Sequence, residues 1–203
     1  MARPRSNIPE RLRAAASVRF LKEGVDGASL RAIASDARTN IGMLYYYYPS
    51  KDDLFFAVVE DVYGKVSADL ADALKPELPV AMRVERAYQR IASLSDQEIQ
   101  VLRLVICEIL KGTERLDQLL DRFQRGHLGL MARVVADGLA DGTFDRNRHP
   151  LLVLMALMGL GGLPQVIRRF AGARLPFRDA LAGAALSLEL VDVLLHGVAA
   201  HGS

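Results

Sequence analysis

The chain has 203 residues, of which 51% are hydrophobic and 25% are charged, and its formal net charge is +2. These values are typical of a folded protein with one large or two small domains, and they exclude a mainly disordered chain. The charge is unevenly distributed, because residues 1–51 hold nine Lys or Arg against four Asp or Glu, whereas residues 52–203 hold 17 against 20. A basic N-terminal module joined to a larger, mildly acidic part is typical of a nucleic-acid-binding protein with a separate sensing or assembly domain.

Apolar residues follow helical spacing through nearly the whole chain, and no segment alternates convincingly with a period of two, so we predict an all-α fold. Four helices are expected in the basic part, at about residues 9–23, 29–37, 40–48 and 51–74. Ser29, Asn40 and Ser50 have the side chains and positions of N-caps for the last three of these helices. Gly24 is expected to end the first helix in a left-handed conformation, and Pro49 is expected to stop the third.

The turn at Lys75–Pro79 contains two prolines and is expected to end the fourth helix at a domain boundary. Five further helices bring the expected total to about nine, and they are predicted near residues 80–94, 96–111, 114–139, 150–170 and 176–198. The helix at 150–170 is expected to break at Gly161–Pro164. Gly112, Gly138 and Gly142 are plausible helix stops.

Two short helices joined by a three- or four-residue turn, preceded by a third helix, fit a helix-turn-helix DNA-binding unit. We therefore assign residues 1–51 to a DNA-binding domain and residues 52–203 to a larger helical domain for ligand binding and dimerisation, with the fourth helix connecting them. The inner face of the third helix is expected to hold Ile41, Leu44, Tyr45 and Tyr48. The outer face, which would enter a major groove, is expected to hold Asn40, Met43, Tyr46 and Tyr47.

The four consecutive tyrosines could also be core packing plus exposed surface. For Tyr48 the core interpretation is favoured, and for Tyr45 the two interpretations are about equal. Tyr46 and Tyr47 favour DNA, because the opposite face of their helix is committed to packing. Lys51 might only precede a helix, but its position at the base of the third helix favours a phosphate contact.

Residues 10–62 resemble the N-terminal DNA-binding domain of the TetR family of bacterial transcriptional regulators. Two stretches carry the resemblance, Ser29–Ala37 and Gly42–Lys51. In the second stretch, a glycine and a Leu-Tyr pair are followed by an aromatic residue and then by Pro-Ser-Lys. The sequence Asp-Asp-Leu54 comes directly after it. The resemblance implies that DNA is approached by Ser29, Thr39, Asn40, Gly42, Met43, Tyr45, Tyr46, Tyr47 and Lys51. It also suggests that Arg3 and Arg5 form an arm in the minor groove.

This chain departs from the family pattern in the turn between the second and third helices. Family members usually have Gly, an aliphatic residue, Ser and Lys where this chain has Arg38, Thr39, Asn40 and Ile41. A positive φ at Arg38 would cost about 1–2 kcal/mol relative to Gly, and its guanidinium could compensate by contacting a phosphate. Ile41 cannot make the polar contact of a lysine, so that role is not assigned to it.

A DNA-binding module of this size reads few base pairs alone, so we expect a homodimer on a palindromic double-stranded DNA operator. The last two helices carry too many apolar groups for a solvent-exposed face, and in the TetR family the corresponding helices form an intersubunit four-helix bundle. The expected interface comprises Leu151, Leu154, Met155, Met158, Leu181, Ala185, Leu188, Val191 and Leu195. The family's usual outcome is repression released by a small-molecule ligand, and we expect the same here; the alternatives are activation and a mode without a ligand.

The middle helices are the candidate sensor. In the helix at 96–111, which is apolar almost all round, Arg103 and Glu108 need solvent or partners, and Cys107 is expected to be a small buried residue. His127 is the polar exception in an apolar stripe and is either a hydrogen-bonded core residue or a ligand contact. The candidate pocket lining comprises Tyr88, Arg103, Cys107, His127 and Met131.

Two other classes of function were weighed. An enzyme is disfavoured, because the sequence has no nucleophile elbow, phosphate-binding loop, zinc-protease motif or close metal-ligand spacing, so we expect no catalytic residues, metal or cofactor. The alternative is a helical adaptor that binds protein or membrane through residues 149–167, where prolines and glycines nevertheless favour a buried or intersubunit helix over a membrane span. A single cysteine and the lack of an apolar N-terminal signal favour the cytoplasm.

Overall fold

The computed structural model describes residues 7–171 and 184–197, which form ten α-helices and no strand. The helices are α1 (Ile8–Glu23), α2 (Leu30–Asp36), α3 (Ile41–Tyr47), α4 (Lys51–Ala73), α5 (Val80–Ala92), α6 (Asp96–Lys111), α7 (Arg115–Arg125), α8 (His127–Asp141), α9 (Pro150–Ala171) and α10 (Ala184–His196). The predicted all-α fold is confirmed. The predicted start of the last helix at residue 176 lies outside the described residues.

The helices form two compact units. Among the described residues, the first unit comprises the chain up to Lys65 together with Asp96–Leu116, and the second comprises Val66–Ser95 and the chain from Asp117 onward. The sequence-based assignment of 1–51 and 52–203 divides the chain differently, because α6 packs against α1 in the first unit.

The core of the first unit is built around one face of α1. Leu12, Ala16 and Phe20 recur at four-residue intervals and are buried, as the helical period requires. The ring of Phe20 meets the ring of Phe55 edge to face, with centroids 6.3 Å apart. Helix α1 also packs against α2, and α2 packs against α3, so this core fixes the orientation of α3.

The core of the second unit is built around Tyr88 of α5, which is buried. Its hydroxyl donates a hydrogen bond to the carbonyl of Leu157 at 2.8 Å. Its ring lies against Gly161, where an added Cβ would come within 2.6 Å of the ring. The buried positions Val153, Leu157, Gly161 and Gln165 form one stripe of α9 at four-residue spacing.

The predicted break at Gly161–Pro164 is wrong, because α9 continues from Pro150 to Ala171 with Pro164 inside it. Proline removes one backbone hydrogen bond and favours a kink, but tertiary packing can override such local preferences. Here α9 packs against α5, α8 and α10, and it has buried positions on both sides of the proline, at Gly161 and Gln165.

The single helix predicted at 114–139 is wrong as well. The chain breaks at Gly126, whose φ of −107° and ψ of −124° are not helical, and this residue separates α7 from α8. Gly138 does not stop a helix, because it lies inside α8, and an added Cβ there would come within 2.3 Å of the Phe144 ring. Helix α8 ends instead at Gly142, which is left-handed with a φ of 85°, as predicted.

Helix α9 is the one helix among the described residues that is long and apolar enough to cross a membrane, judged by length and composition over Pro150–Arg169, where the mean hydropathy is 1.9. Core helices of soluble proteins can meet the same criteria. Its buried stripe contacts the other helices of the second unit, whereas Leu151, Leu152 and Met155 are exposed on the rest of its surface.

Candidate nucleic-acid interface

Both short helices of the predicted helix-turn-helix begin at the expected caps. The hydroxyl oxygen of Ser29 accepts a hydrogen bond from the N–H of Ala32 at 3.4 Å, and Asn40 Oδ1 accepts one from the N–H of Met43 at 2.9 Å. Each bond satisfies an amide that would lack a partner in the first turn. The caps therefore set where α2 and α3 begin, and the predictions for Ser29 and Asn40 are confirmed.

The inner side of α3 is held by Leu44 and by Tyr48, which follows the last helical residue. Leu44 is fully buried, and Tyr48 is nearly so. The Tyr48 hydroxyl donates to the carbonyl of Pro9 at 3.4 Å and accepts from Arg13 Nη1 at 3.3 Å. The core interpretation of Tyr48 is confirmed, and these contacts fix the C-terminal end of α3 against α1.

The outer side of α3 is formed largely by phenol rings. Tyr46 is 76% exposed and Tyr45 is 52% exposed, which places Tyr45 away from the core on α3. Tyr47 is half-buried, and its ring meets the ring of Tyr46 edge to face, with centroids 5.0 Å apart. Asn40 and Gly42 are exposed, and Met43 is half-buried. This side combines hydrogen-bonding hydroxyls with apolar ring surface, which are the groups that contact base edges and thymine methyls.

The turn between α2 and α3 depends on Arg38. This residue has a φ of 53°, the left-handed conformation considered from the sequence. The N–H of Arg38 donates to Ser35 and the N–H of Thr39 donates to Ala34, so the turn closes the end of α2. The left-handed conformation costs about 1–2 kcal/mol in a residue other than glycine. The Arg38 side chain is exposed beside the start of α3.

The start of α4 is capped on both sides. Ser50 Oγ accepts a hydrogen bond from the N–H of Asp53 at 3.0 Å, and Asp53 Oδ2 accepts one from the N–H of Ser50 at 3.0 Å. This reciprocal capping confirms the predicted cap at Ser50. Lys51 Nζ donates to the carbonyl oxygen of Asp26 at 2.7 Å, which ties the start of α4 to the turn before α2. The ammonium retains two further donors for a phosphate.

The five candidate ligand residues lie in two different units. Tyr88 and Met131 are buried in the core of the second unit, and His127 of the same unit is partly buried, with its ring centroid 5.1 Å from that of Phe123. Burial lowers the pKa of His127 from 6.5 to about 4, so its imidazole is neutral at pH 7. Arg103 and Cys107 are exposed in the first unit, and the expected burial of Cys107 is wrong. The assignment of a ligand pocket to these five residues stays a prediction.

A polar cleft of about 330 Å³ opens in the first unit among α1, α4 and α6. Its lining comprises Glu10, Arg13, Ala14, Ser17, Val58, Asp61, Gln97 and Val101. Arg13 forms a salt bridge with Asp61 at 3.0 Å, which joins α1 to α4. None of the five predicted ligand residues lines this cleft.

Comparison with known proteins identifies this arrangement. The family model described as "Bacterial regulatory proteins, tetR family" matches residues 12–58, which run from the second turn of α1 into the first third of α4. This segment is similar to the N-terminal DNA-binding domain of the TetR family of bacterial transcriptional regulators. The matched segment lies inside residues 10–62, where the sequence resemblance was found.

Two curated relatives of this chain are named as repressors. The HTH-type transcriptional repressor NicS of Pseudomonas putida is 33% identical over 135 residues, and the match covers 51% of this chain and 62% of NicS, less than two thirds of its length. An HTH-type transcriptional repressor of Streptomyces coelicolor is 29% identical over 163 residues, with coverage of 78% and 80%.

Solved structures share the fold over nearly the whole chain. The transcriptional regulator FadR of Bacillus subtilis, in complex with stearoyl-CoA, matches with a TM-score of 0.75 and 16% identity, over 94% of this chain and 99% of FadR. A TetR-like transcriptional regulator from a Rhodococcus species matches with a TM-score of 0.69 and 23% identity, over 97% and 98% of the two chains. The fold of the second unit is thus that of TetR-like regulators as well.

The sequence did not indicate the role of Arg115. Arg115, at the start of α7, is buried and binds three carboxylates of the first unit. No local pattern in the sequence marks it, because those carboxylates come from distant segments. A charged residue at the start of a helix is usually read as a solvated surface group.

Proposed function

We propose that this chain is a dimeric repressor whose two copies of α3 enter successive major grooves of a palindromic operator. The observation that carries the proposal is the outer side of α3, where Tyr46 is 76% exposed while Leu44 and Tyr48 hold the opposite side in the core. A capped helix fixed from behind, with an exposed hydrogen-bonding face, is the geometry of a recognition helix.

The proposed contacts fall into two groups. Side chains on the exposed side of α3 would read base edges, and these are Asn40, Met43, Tyr45, Tyr46 and Tyr47. Ser29, Arg38, Thr39 and Lys51 lie around that side, at the start of α2, in the turn and at the start of α4, and would contact phosphates. Gly42 has no side chain and lets the backbone approach the duplex. The proposed arm residues Arg3 and Arg5 lie outside the described residues.

The proposed dimer interface is an exposed apolar patch on the second unit. We define the α9 patch as Leu151, Leu152, Met155 and Met158, all exposed, with Leu188 of α10 similarly exposed. Soluble monomers rarely expose contiguous apolar surface of this kind, and its burial would favour association. Leu154 and Leu195 are half-buried, and Val191 is buried within its own unit. Leu181 lies outside the described residues.

The proposed sign of regulation is repression, supported by the names of the curated relatives. A small molecule bound by the larger domain would favour a dimer whose recognition helices no longer fit grooves spaced about 34–36 Å apart. We propose no catalytic role, since the relatives are transcriptional regulators, and we propose a cytoplasmic location, where such a protein meets DNA.

The DNA-binding proposal is tested by selecting bound duplexes from a random pool with the wild type, Tyr46→Ala and Lys51→Ala. We expect the wild type to enrich a palindrome, Tyr46→Ala to change the preference at particular bases, and Lys51→Ala to weaken all duplexes similarly. Val18→Ala on α1 and Lys65→Ala on α4 are matched exposed controls that should change neither result. A pool that enriches no palindrome would overturn the proposal.

The dimer proposal is tested by sedimentation of Met155→Glu, which places a charge in the α9 patch. We expect the wild type to sediment as a dimer at micromolar concentration and the variant as a monomer, because burying an unpaired carboxylate opposes association. Leu110→Glu is the matched control, since Leu110 of α6 is 81% exposed but lies outside the patch. A wild-type monomer, or a dimer that survives Met155→Glu, would remove the proposed interface.

A further inference from the structure

A buried arginine in the first unit joins three acidic residues from three separate segments. Arg115 Nε lies 3.0 Å from Glu108 Oε2, its Nη1 lies 2.8 Å from Asp52 Oδ1, and its Nη2 lies 2.8 Å from Asp26 Oδ1. Glu108 belongs to α6, Asp52 to α4, and Asp26 to the turn between α1 and α2. We call these four residues the Arg115 cluster.

The buried charges of the cluster are compensated. Glu108 is wholly buried, and its carboxylate also accepts hydrogen bonds from Lys111 at 3.1 Å and from the Thr113 hydroxyl at 3.3 Å. The guanidinium lies over the Phe55 ring, 5.7 Å from its centroid. Burial alone would lower the pKa of Arg115, but its hydrogen bonds to the carboxylates outweigh burial and raise it. Charge-assisted hydrogen bonds of this kind are stronger than neutral ones, so the cluster is a firm contact between its three segments.

The cluster ends beside two of the proposed phosphate contacts. Asp52 directly follows Lys51, and Asp26 lies three residues before Ser29. Asp26 is held twice, because Arg115 binds its carboxylate and Lys51 Nζ binds its carbonyl oxygen at 2.7 Å. The hydrogen bond from Arg115 lowers the pKa of the Asp26 carboxyl group. One guanidinium thus fixes both segments that carry Ser29 and Lys51.

The turn between α1 and α2 needs such an anchor. It contains Gly24, with a φ of 75°, and Gly27, where an added Cβ would come within 2.5 Å of the Glu23 carbonyl oxygen. Glycine-containing turns have more conformational freedom than other segments, and ordering them has an entropic cost. Arg115 supplies a fixed contact at Asp26, between the two glycines.

We propose that Arg115 is a positioning residue for DNA binding. It holds Asp26 and Asp52 so that Ser29 and Lys51 present their donors to the DNA backbone together. The inference rests on the proposed phosphate contact of Lys51 and goes beyond it, because Arg115 itself does not contact DNA. A purely structural role would instead stabilise the fold without setting the number of phosphate contacts.

The salt dependence of binding to the selected operator duplex separates these roles. The slope of the logarithm of the association constant against the logarithm of salt concentration counts phosphate contacts, at about 0.9 per contact. We expect Lys51→Ala to lower the steepness of this slope by about 1. Arg115→Met should lower it by a similar amount and weaken binding roughly tenfold, since Lys51 loses its position. The variant that combines Lys51→Ala with Arg115→Met should have the same slope as either single variant, because both substitutions remove the same phosphate contact.

Three further variants control for folding. Arg83→Met removes a similarly buried arginine of the second unit, which binds Asp137, and it should leave the slope unchanged even where it lowers the fraction of folded protein. Arg115→Lys keeps a charge in the cluster and should restore part of the slope. Asp26→Asn weakens the salt bridge between Arg115 and Asp26, whose carboxylate is exposed. Its salt-dependence slope therefore tests the positioning role if Arg115→Met does not fold.

The outcomes distinguish this inference from the function on which it rests. A Lys51→Ala variant with the wild-type slope shows that Lys51 does not contact phosphate, and both claims then fail at that residue. A reduced slope in Lys51→Ala, with a wild-type slope in Arg115→Met and Asp26→Asn, overturns the positioning role alone. An equal change in Arg83→Met also overturns it, because the effect would then be a general loss of structure.

Discussion

Each of the two compact units contains a buried arginine, and the two are satisfied by different groups. In the second unit, Arg83 donates to the carbonyl oxygens of Pro76 and Leu78, both at 2.6 Å, and pairs with the carboxylate of Asp137. In the first unit, Arg115 is satisfied by three carboxylates, one of them wholly buried. Arg83 therefore closes a turn of the backbone, whereas Arg115 neutralises charge. The same residue type gives one unit a fixed turn and the other a network of charges.

The largest expected difference between the units concerns the loss of these arginines. Arg115→Met leaves the carboxylate of Glu108 buried without its main partner, which we expect to cost about 3–5 kcal/mol. Arg83→Met removes the donor for the carbonyl groups of Pro76 and Leu78 and for the carboxylate of Asp137, which is half-exposed and can be hydrated. We expect this variant to lower the free energy of unfolding by about 1–3 kcal/mol. Urea denaturation at one fixed protein concentration measures both values.

Adding Glu108→Leu to Arg115→Met is the control for that comparison. It removes the unpaired charge, and replacing a buried ion pair by apolar residues is often neutral, so most of the lost stability should return. Equal losses in the two single variants, or no recovery in the double variant, would contradict the charge-based account.

The second expected effect tests the packing that holds the second unit. Gly138→Ala would place a methyl group within 2.3 Å of the Phe144 ring, and we expect it to lower the free energy of unfolding by about 1–3 kcal/mol. Gly159→Ala on α9 is the matched control, because no neighbouring atom lies within 4 Å of the added Cβ and alanine favours a helix. Thermal unfolding of the two variants should therefore shift in opposite directions, and a neutral Gly138→Ala would show that the ring moves aside.

The third effect separates the units by pH. The pKa of His127 is about 4 in the folded second unit and about 6.5 when unfolded, so the unfolded chain binds the extra proton between these values. Stability is therefore lost as the pH falls through this range, by about 1 kcal/mol between pH 6 and pH 5. His127→Gln should remove this contribution from the stability measured by denaturation across the range. In the first unit, the hydrogen bond from Arg115 lowers the pKa of the Asp26 carboxyl group, so that group loses its stabilising charge only in stronger acid.

The smallest effect concerns backbone conformation. Arg38 is the non-glycine residue with a positive φ within residues 7–171 and 184–197, whereas the positive-φ positions described in the second unit are Gly142 and Gly197. Arg38→Gly should raise stability by less than about 1 kcal/mol, because relief of strain is partly offset by the greater freedom of glycine when unfolded. If the side chain contacts phosphate, the same variant should also flatten the salt dependence of operator binding. A variant that is less stable than the wild type would show that Arg38 makes a stabilising contact in the turn.

Local signals predicted the segment from α1 to the start of α4 closely. Ser29, Asn40 and Ser50 lie where the caps form, so the starts of α2, α3 and α4 agree with the sequence within one residue. The exposed side of α3 was also predictable, because helical spacing assigns Tyr46 to the side opposite Leu44. Spacing placed Tyr45 on the inner side with Leu44, and that placement is wrong, because Tyr45 is 52% exposed.

Failures occurred where distant contacts decide the structure. Gly126 breaks a helix, whereas Gly138 lies inside one with the Phe144 ring packed against it. Pro164 lies inside α9, which has buried positions on both sides of it, at Gly161 and Gln165. Arg115 was missed because its carboxylates lie 7, 63 and 89 residues away in the sequence.

The exposure of Tyr46 has a consequence for how this protein can evolve. A side chain that lies mostly in solvent contributes little to folding, and substitutions at such positions usually change stability by less than about 0.5 kcal/mol. Under the base contacts proposed above, mutations on this side of α3 would alter which operator is recognised while the scaffold still folds. The buried residues behind the helix, Leu44 and Tyr48, would have to be retained.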